Sequence, residues 1–264
     1  MKKLLSRIYI ILIFILLYAP IATLIVLSFN NSKSRAKWGG FTLKWYTSLF
    51  SNSAIIGALT NTLVIAFISS LVATLIGTAA AIGINSMKRK WRSTFLMVTN
   101  IPMLNADIVT GISLMLIFLV AGVSFGFNTV LLAHITFNIP YVILSIMPRL
   151  KTVNPSIYEA ALDLGASPVY AFFKVVFPDI LSGILSGFML AFTMSLDDFI
   201  ITHFTKGPGL DTLSTKIYTE VKKGIKPEMY SLSTLLFITI LILLIIINVM
   251  PERKNTSEKS TAKL

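Results

Sequence analysis

Long apolar runs, separated by short polar or basic segments, dominate this chain. They fall at residues 8–29, 59–84, 95–120, 129–147, 180–204 and 231–250. A helix needs about 20 mainly apolar residues to cross the hydrocarbon of a bilayer, and each run comes close to or exceeds that. Backbone N–H and C=O groups in lipid must bond to one another, so helices are expected. Length, rather than periodicity, separates them from buried strands. The first run follows basic residues as a signal peptide would. It continues past the usual apolar core of about 7–15 residues, and no small-residue cleavage site closes it, so it reads as an uncleaved first span. The third run is interrupted by Pro102, Asn105 and Asp107. Such a break faces protein or a water-filled cavity rather than lipid. The pattern predicts one membrane domain of six helices, a cytoplasmic loop over 149–178 and a polar tail over 251–264.

Composition agrees. Hydrophobic residues make up 55% and charged residues 13% of 264 positions, and the mean hydropathy is +0.81. Soluble domains carry roughly 25% charged residues. The net charge of +12 would suggest nucleic acid on a soluble protein. Here basic residues cluster between apolar runs, where a positive-inside bias explains them. With both termini cytoplasmic, fourteen of the 23 basic residues fall on the inner side, the "MKRKWR" loop foremost. Lys33, Arg35, Lys37 and Lys44 in the first outer loop run against the rule. The chain has no cysteine, which excludes disulfides, zinc-thiolate sites and thiol catalysis. "GTAAAIG" (77–83) and "GILSG" (183–187) have the small-residue spacing of close helix packing, expected here within the chain.

Two features carry chemistry. "SLDDF" (195–199) sets Asp197 and Asp198 side by side in an apolar stretch, and Asp107 sits in the broken third span. Intramembrane acids are functional by default, although carboxylates at a headgroup boundary would cost little. Successive helical residues point about 100° apart, so the adjacent pair should not both face one channel. One is expected to line a path while the other pairs with a polar group. His134 and His203 read as packing or interfacial residues. Ser195 has no recognisable base, and no metal cluster stands out, so neither a catalytic site nor a metal site is expected.

The second feature is the loop "NPSIYEAALDLGASPVYAFFKVVFPDI" (154–180). Ser156 and Glu159 are spaced as a capping box. Gly165 can take the left-handed conformation that ends a helix. Ser167 and Pro168 look like a new cap and first-turn proline. Two short helices with a glycine elbow are expected. Glu159, Ala160, Ala161, Gly165 and Pro178 also match the EAA loop of ABC-importer permeases, with Val175 and Phe177 replacing the usual Ile and Leu. The stretches "SFNNSK", "WGGFTLKWY", "DIVTGISL", "HITFNIP", "SLDDF" and "KGPG…KIY" resemble the spermidine/putrescine permeases of that superfamily.

The resemblance implies an all-α, six-span permease of the type I, MetI-like fold in a bacterial cytoplasmic membrane. It implies a homologous second permease, a cytoplasmic ATPase dimer and an extracytoplasmic polyamine-binding protein as partners. Glu159, Ala160, Ala161, Asp163 and Gly165 would form the helix that couples to the ATPase. No G-x-x-x-x-G-K-[ST] loop occurs, so ATP and Mg2+ would sit on that partner, with no cofactor in this chain. Asp107, Asp197, Asp198 and Phe199 become candidates for a polyamine path, Asp198 and Asp107 ahead of Asp197. The basic outer loops would not attract a polycation, so they are expected to dock the binding protein instead. Uptake unchanged after neutralising Lys222 and Lys223 would count against that role. Alternatives are an importer of phosphonate, iron or another organic cation, a membrane-embedded transferase, and a self-contained channel.

Overall fold

The structure, a computed structural model, describes residues 2–249 apart from Arg35 and Ile225. The polar tail over 251–264 and the last residue of the expected sixth span lie outside the described residues. Helices account for nearly all regular structure among the described residues, with one isolated bridge between Asn30 and Phe41. The chain forms two units, the first comprising Met1–Asn61 with Asp211–Ile242 and the second built on Thr62–Leu210.

In the first unit, α1 (Lys2–Ser28) leads through a folded loop into α2 (Lys44–Ser51) and the start of α3 (Ser53–Ser86). Asn30 organises that loop. Its side-chain oxygen accepts from the Ser32 and Gly39 amides at 3.0 and 2.8 Å, and its amide group donates to the Lys37 carbonyl. The buried Trp45 indole N–H donates to the Asn30 carbonyl at 2.8 Å. Later in the chain, α11 (Leu213–Lys223) and the first part of α12 (Pro227–Val249) complete the unit. Leu49, Ile55, Ala58, Leu213, Met229 and Leu232 form its core. Nearly buried Glu220 holds the ammonium groups of Lys216, Lys223 and Lys226 at 3.7–3.9 Å, and Lys222 lies over the Tyr218 ring. This gathers these lysines into one patch.

In the second unit, α6 (Phe127–Thr152) and α9 (Phe177–Asp197) make the main interface. Their antiparallel register follows from glycine. Gly183 lies against Ser145, Ile146 and Arg149, and Gly187 against Val142, so a side chain at either would press on α6. Ser145 Oγ donates to the Gly183 carbonyl at 3.1 Å. Gly77 of α3 meets Val142 from another side. Around these contacts Ala81, Ile84, Ile143, Ile146, Ile180 and Ala191 close a dry core.

Two spans are broken. α4 (Arg89–Leu104) and α5 (Asp107–Val120) meet at 101°, with Asn105 and Ala106 extended between them. The expected span over 180–204 instead stops at Asp197, and a short α10 (Ile200–Thr205) follows. At its other end α9 continues an apolar helix from Pro168 through a π-helical turn, Phe172–Val176. The cause is Pro178, which has no N–H to give the Lys174 carbonyl; Phe177 N–H bonds back to Phe172 instead, an i→i−5 link. Among the described residues four helices are long and apolar enough to cross a membrane, and the bent α4–α5 pair makes a fifth if counted as one span. The apolar part of α12, Pro227–Ile242, is shorter.

Just past α10, a Cβ at Gly207 would stand 2.1 Å from the Phe125 carbonyl oxygen, an immovable backbone atom. Gly207→Ala is therefore expected to destabilise the purified protein by about 3 kcal/mol or more, at the upper end for overpacking. Thermal unfolding in detergent measures it.

Candidate functional site

The end of α9 turns because Asp198 stops one helix and starts the next. Its backbone is extended at ψ 123°. Its carboxylate then accepts the Ile201 amide at 3.2 Å and the Thr202 amide and hydroxyl at 2.8 and 2.9 Å. These capture N–H groups that the first turn of α10 would otherwise leave unpaired. From α6, His134 reaches the same corner. Its Nε2 lies 2.9 Å from Thr202 Oγ1 and 3.4 Å from the Asp198 carboxylate. Its Nδ1 bonds Ser195 Oγ, and Ser195 meets Ser69 Oγ of α3 at 3.0 Å. The imidazole is 1% exposed and is braced edge-on by Phe137. Five polar side chains from α3, α6, α9, α10 and the corner between the last two thus form one buried network. The far end of α10 is tied as well, since Thr129 Oγ1 donates to the Thr205 carbonyl at 2.7 Å.

The two neighbouring aspartates diverge because the chain leaves the helix between them. Asp198 turns inward, its side chain 9% exposed and saturated with donors. Asp197 is exposed. Phe199 is half-buried, with its ring stacked on the exposed His203 at a centroid distance of 5.2 Å. Asp107 is exposed at the first residue of α5. One turn further on, Gly111 lets α5 approach Phe204 and Ile201 of α10 closely. Tyr141 of α6 packs on the Phe118, Ala133, Phe137 and Ile201 cluster. The fold therefore brings the Asp107 helix against the element that follows Asp197 and Asp198.

Sequence reading missed the central residue of this network. His134 was expected to pack, and Ser195 to lack a base; in the structure each is the other's partner. Serine, histidine and aspartate in contact invite comparison with a hydrolytic triad. Here, however, Ser195 is 3% exposed and already bonded to Ser69, so no acyl group can reach it. No group of three or more His, Cys, Asp or Glu side chains suited to a metal occurs among the described residues.

The loop after α6 forms a second surface. α7 (Pro155–Asp163) is capped by Asn154, whose side chain accepts the Ser156 amide, and Pro155 fills the first turn. That corrects the expected Ser156–Glu159 capping box: the helix begins two residues earlier, leaving Glu159 exposed. Gly165 has φ +84°; its N–H bonds the Leu162 carbonyl and Ala166 N–H bonds the Ala161 carbonyl. These two bonds make the Schellman ending, which requires a left-handed residue. Ser167 then caps α8 (Pro168–Ala171), with Pro168 in its first turn. Glu159, Ala160 and Asp163 are exposed, Ala161 is half-buried, and Leu164 is 89% exposed.

A family model described as the binding-protein-dependent transport system inner membrane component matches residues 73–254. The chain belongs to that family. The match spans the whole corner except Ser69, and all of the loop that carries Glu159 and Gly165. This permease chain is 37% identical over 233 residues to the spermidine/putrescine transport system permease protein PotC of Escherichia coli K12, covering 88% of each. It is 38% identical over 238 residues to the putrescine transport system permease protein PotI of the same strain, covering 87% of this chain and 85% of that one. Among solved structures, a bacterial ABC transporter involved in the import of the acidic polysaccharide alginate superposes with a TM-score of 0.72 over 94% of both chains. At 17% identity that likeness concerns the fold alone. Membership makes this chain a transport component of the inner-membrane family and not an enzyme, so the serine–histidine–aspartate contact in the permease is structural.

Proposed function

We propose that this permease is one half of the translocation pathway of an ATP-driven importer of polyamines, spermidine or putrescine. The observation that carries the reading is identity of 37–38%, over more than four fifths of the chain, to permeases named for each of those substrates. The site supports it chemically. A polyamine is an extended chain of ammonium groups, and moving it through a membrane protein requires carboxylates and aromatic faces in place of water. The exposed Asp107 and Asp197, with Phe199 two residues after Asp197, supply such groups. Asp198 shapes the corner from behind.

The rest of the assembly is what membership of a binding-protein-dependent transport family calls for. ATP and Mg2+ bind a cytoplasmic ATPase pair, and a homologous second permease completes the path. α7 docks in the ATPase, presenting Glu159, Ala160 and Asp163, while Gly165 fixes its angle to α8. Both termini lie in the cytoplasm. The lysines gathered by Glu220 face outward and meet an acidic face of the polyamine-binding protein.

Asp197→Asn and Asp107→Asn should each raise the spermidine concentration for half-maximal uptake by roughly tenfold or more, the scale of a lost hydrogen bond to a charged group. Initial uptake rates over a spermidine titration read this directly. Unchanged half-saturation in both variants, with normal assembly, would remove the carboxylates from the path.

A further inference from the structure

We propose that His134 is a positioning residue for substrate passage, because its imidazole clamps both sides of the α9–α10 corner and thereby fixes the direction of Asp197 and Phe199. The proposal rests on the polyamine-pathway reading above, both for its substrate and for placing Asp197 on the path.

The geometry is specific. A helix that stops within one residue and restarts two residues later is a hinge unless something holds it. Along its own segment Asp198 bonds forward to Ile201 and Thr202, which starts α10 without fixing its angle to α9. His134 comes from 61 residues before Ser195 and 68 before Thr202. Nδ1 engages Ser195, the last-turn residue before the break. Nε2 engages Thr202 and Asp198, on the break and after it. A planar ring with a nitrogen bonded to each side sets the angle between them. The ring cannot swing away, because Phe137 packs against it edge-on and it is 1% exposed. Ser69 backs the Ser195 hydroxyl from α3. Between the two clamped points lie Asp197, exposed, and Phe199, stacked on His203. Loosening the clamp would leave both residues in place chemically but aimed elsewhere.

The test uses the assembled transporter in proteoliposomes. His134→Leu replaces the ring with an apolar group and cuts both arms; Thr202→Val cuts only the α10 arm and serves if the leucine variant fails to assemble. Each is made alone and with Asp197→Asn. The expected result for His134→Leu is a rise of about tenfold in half-saturating spermidine. On top of Asp197→Asn the same change should add less than about twofold, since two residues acting through one group are not additive. His134→Gln and His134→Asn, each able to keep one arm, should recover only part of the loss. Equal, additive effects in both backgrounds would overturn the proposal and leave His134 a packing residue.

A second readout needs no substrate. The chain has no cysteine, so His203→Cys offers a single thiol on α10. Its maleimide labelling rate should shift by about tenfold when the clamp is cut, and an unchanged rate would overturn the proposal. A shifted rate in a transporter that takes no spermidine would keep the clamp and reject the polyamine reading instead.

Discussion

Asp198→Ala is expected to abolish uptake, and to do so by undoing the α9–α10 corner rather than by removing a substrate contact. The carboxylate accepts two backbone amides and the Thr202 hydroxyl, and it faces His134 Nε2. Alanine leaves the two amides and the hydroxyl without this acceptor, at a side-chain position only 9% exposed. Removing one member of a buried charged network costs roughly 3–5 kcal/mol, a large part of a stability of about 5–15 kcal/mol for an ordinary domain. Purified Asp198→Ala should therefore unfold at lower temperature in detergent, whereas Asp197→Asn should not. A fully stable Asp198→Ala variant that had lost only substrate affinity would instead make Asp198 a pathway residue. Asp198→Asn should fall between, because its oxygen can still accept while its NH2 group opposes the Thr202 donors.

Gly165→Val is expected to separate ATP hydrolysis from transport. The residue sits at φ +84°, and a Cβ there would meet nothing within 4 Å, so the effect is one of backbone conformation and not of crowding. A β-branched residue in the left-handed region costs about 1–2 kcal/mol or more. The chain can escape that cost by giving up the two terminal hydrogen bonds of α7, which changes the angle at which α7 leaves α8. The membrane helices do not depend on this turn. Stability of the isolated subunit should be nearly unchanged, while uptake and binding-protein-stimulated ATPase activity fall together by more than about tenfold, if the lost angle costs the docked state upwards of 1.4 kcal/mol. Gly165→Asn is the control: asparagine tolerates the left-handed region, so it should retain much more activity. Equal activity of the valine and glycine forms would show that the elbow is not used in coupling.

What could be read from the sequence was local. Gly165, Ser167 and Pro168 announced an elbow because each acts through its own backbone, and the elbow is there. Pro102, Asn105 and Asp107 marked an interruption, although not a corner of 101°. The small-residue runs indicated packing within the chain, and Gly183 and Gly77 do so against α6. The His134–Ser195 pairing was hidden, because its members lie 61 residues apart and a single sequence records no co-variation. Asn154 capped α7 in place of the Ser156–Glu159 pair because an Asx side chain before Pro155 reaches the Ser156 amide first. For Asp197 and Asp198, the sequence reading assumed one continuous helix. The two diverge because the helix stops between them, and Asp198 turns inward toward donors on α10 and a histidine from another helix. The same limit applied to span five, where Pro178 lengthened α9 backward through a π-turn and Asp198 cut it short.

The most direct test of the central claim is labelled-spermidine uptake by the purified permease pair, its ATPase and its binding protein in sealed proteoliposomes. ATP is placed inside and the binding protein outside. The account predicts accumulation that requires both, is competed by unlabelled putrescine, and weakens in Asp197→Asn. ATPase stimulation by a different solute, with no accumulation of either polyamine, would contradict it.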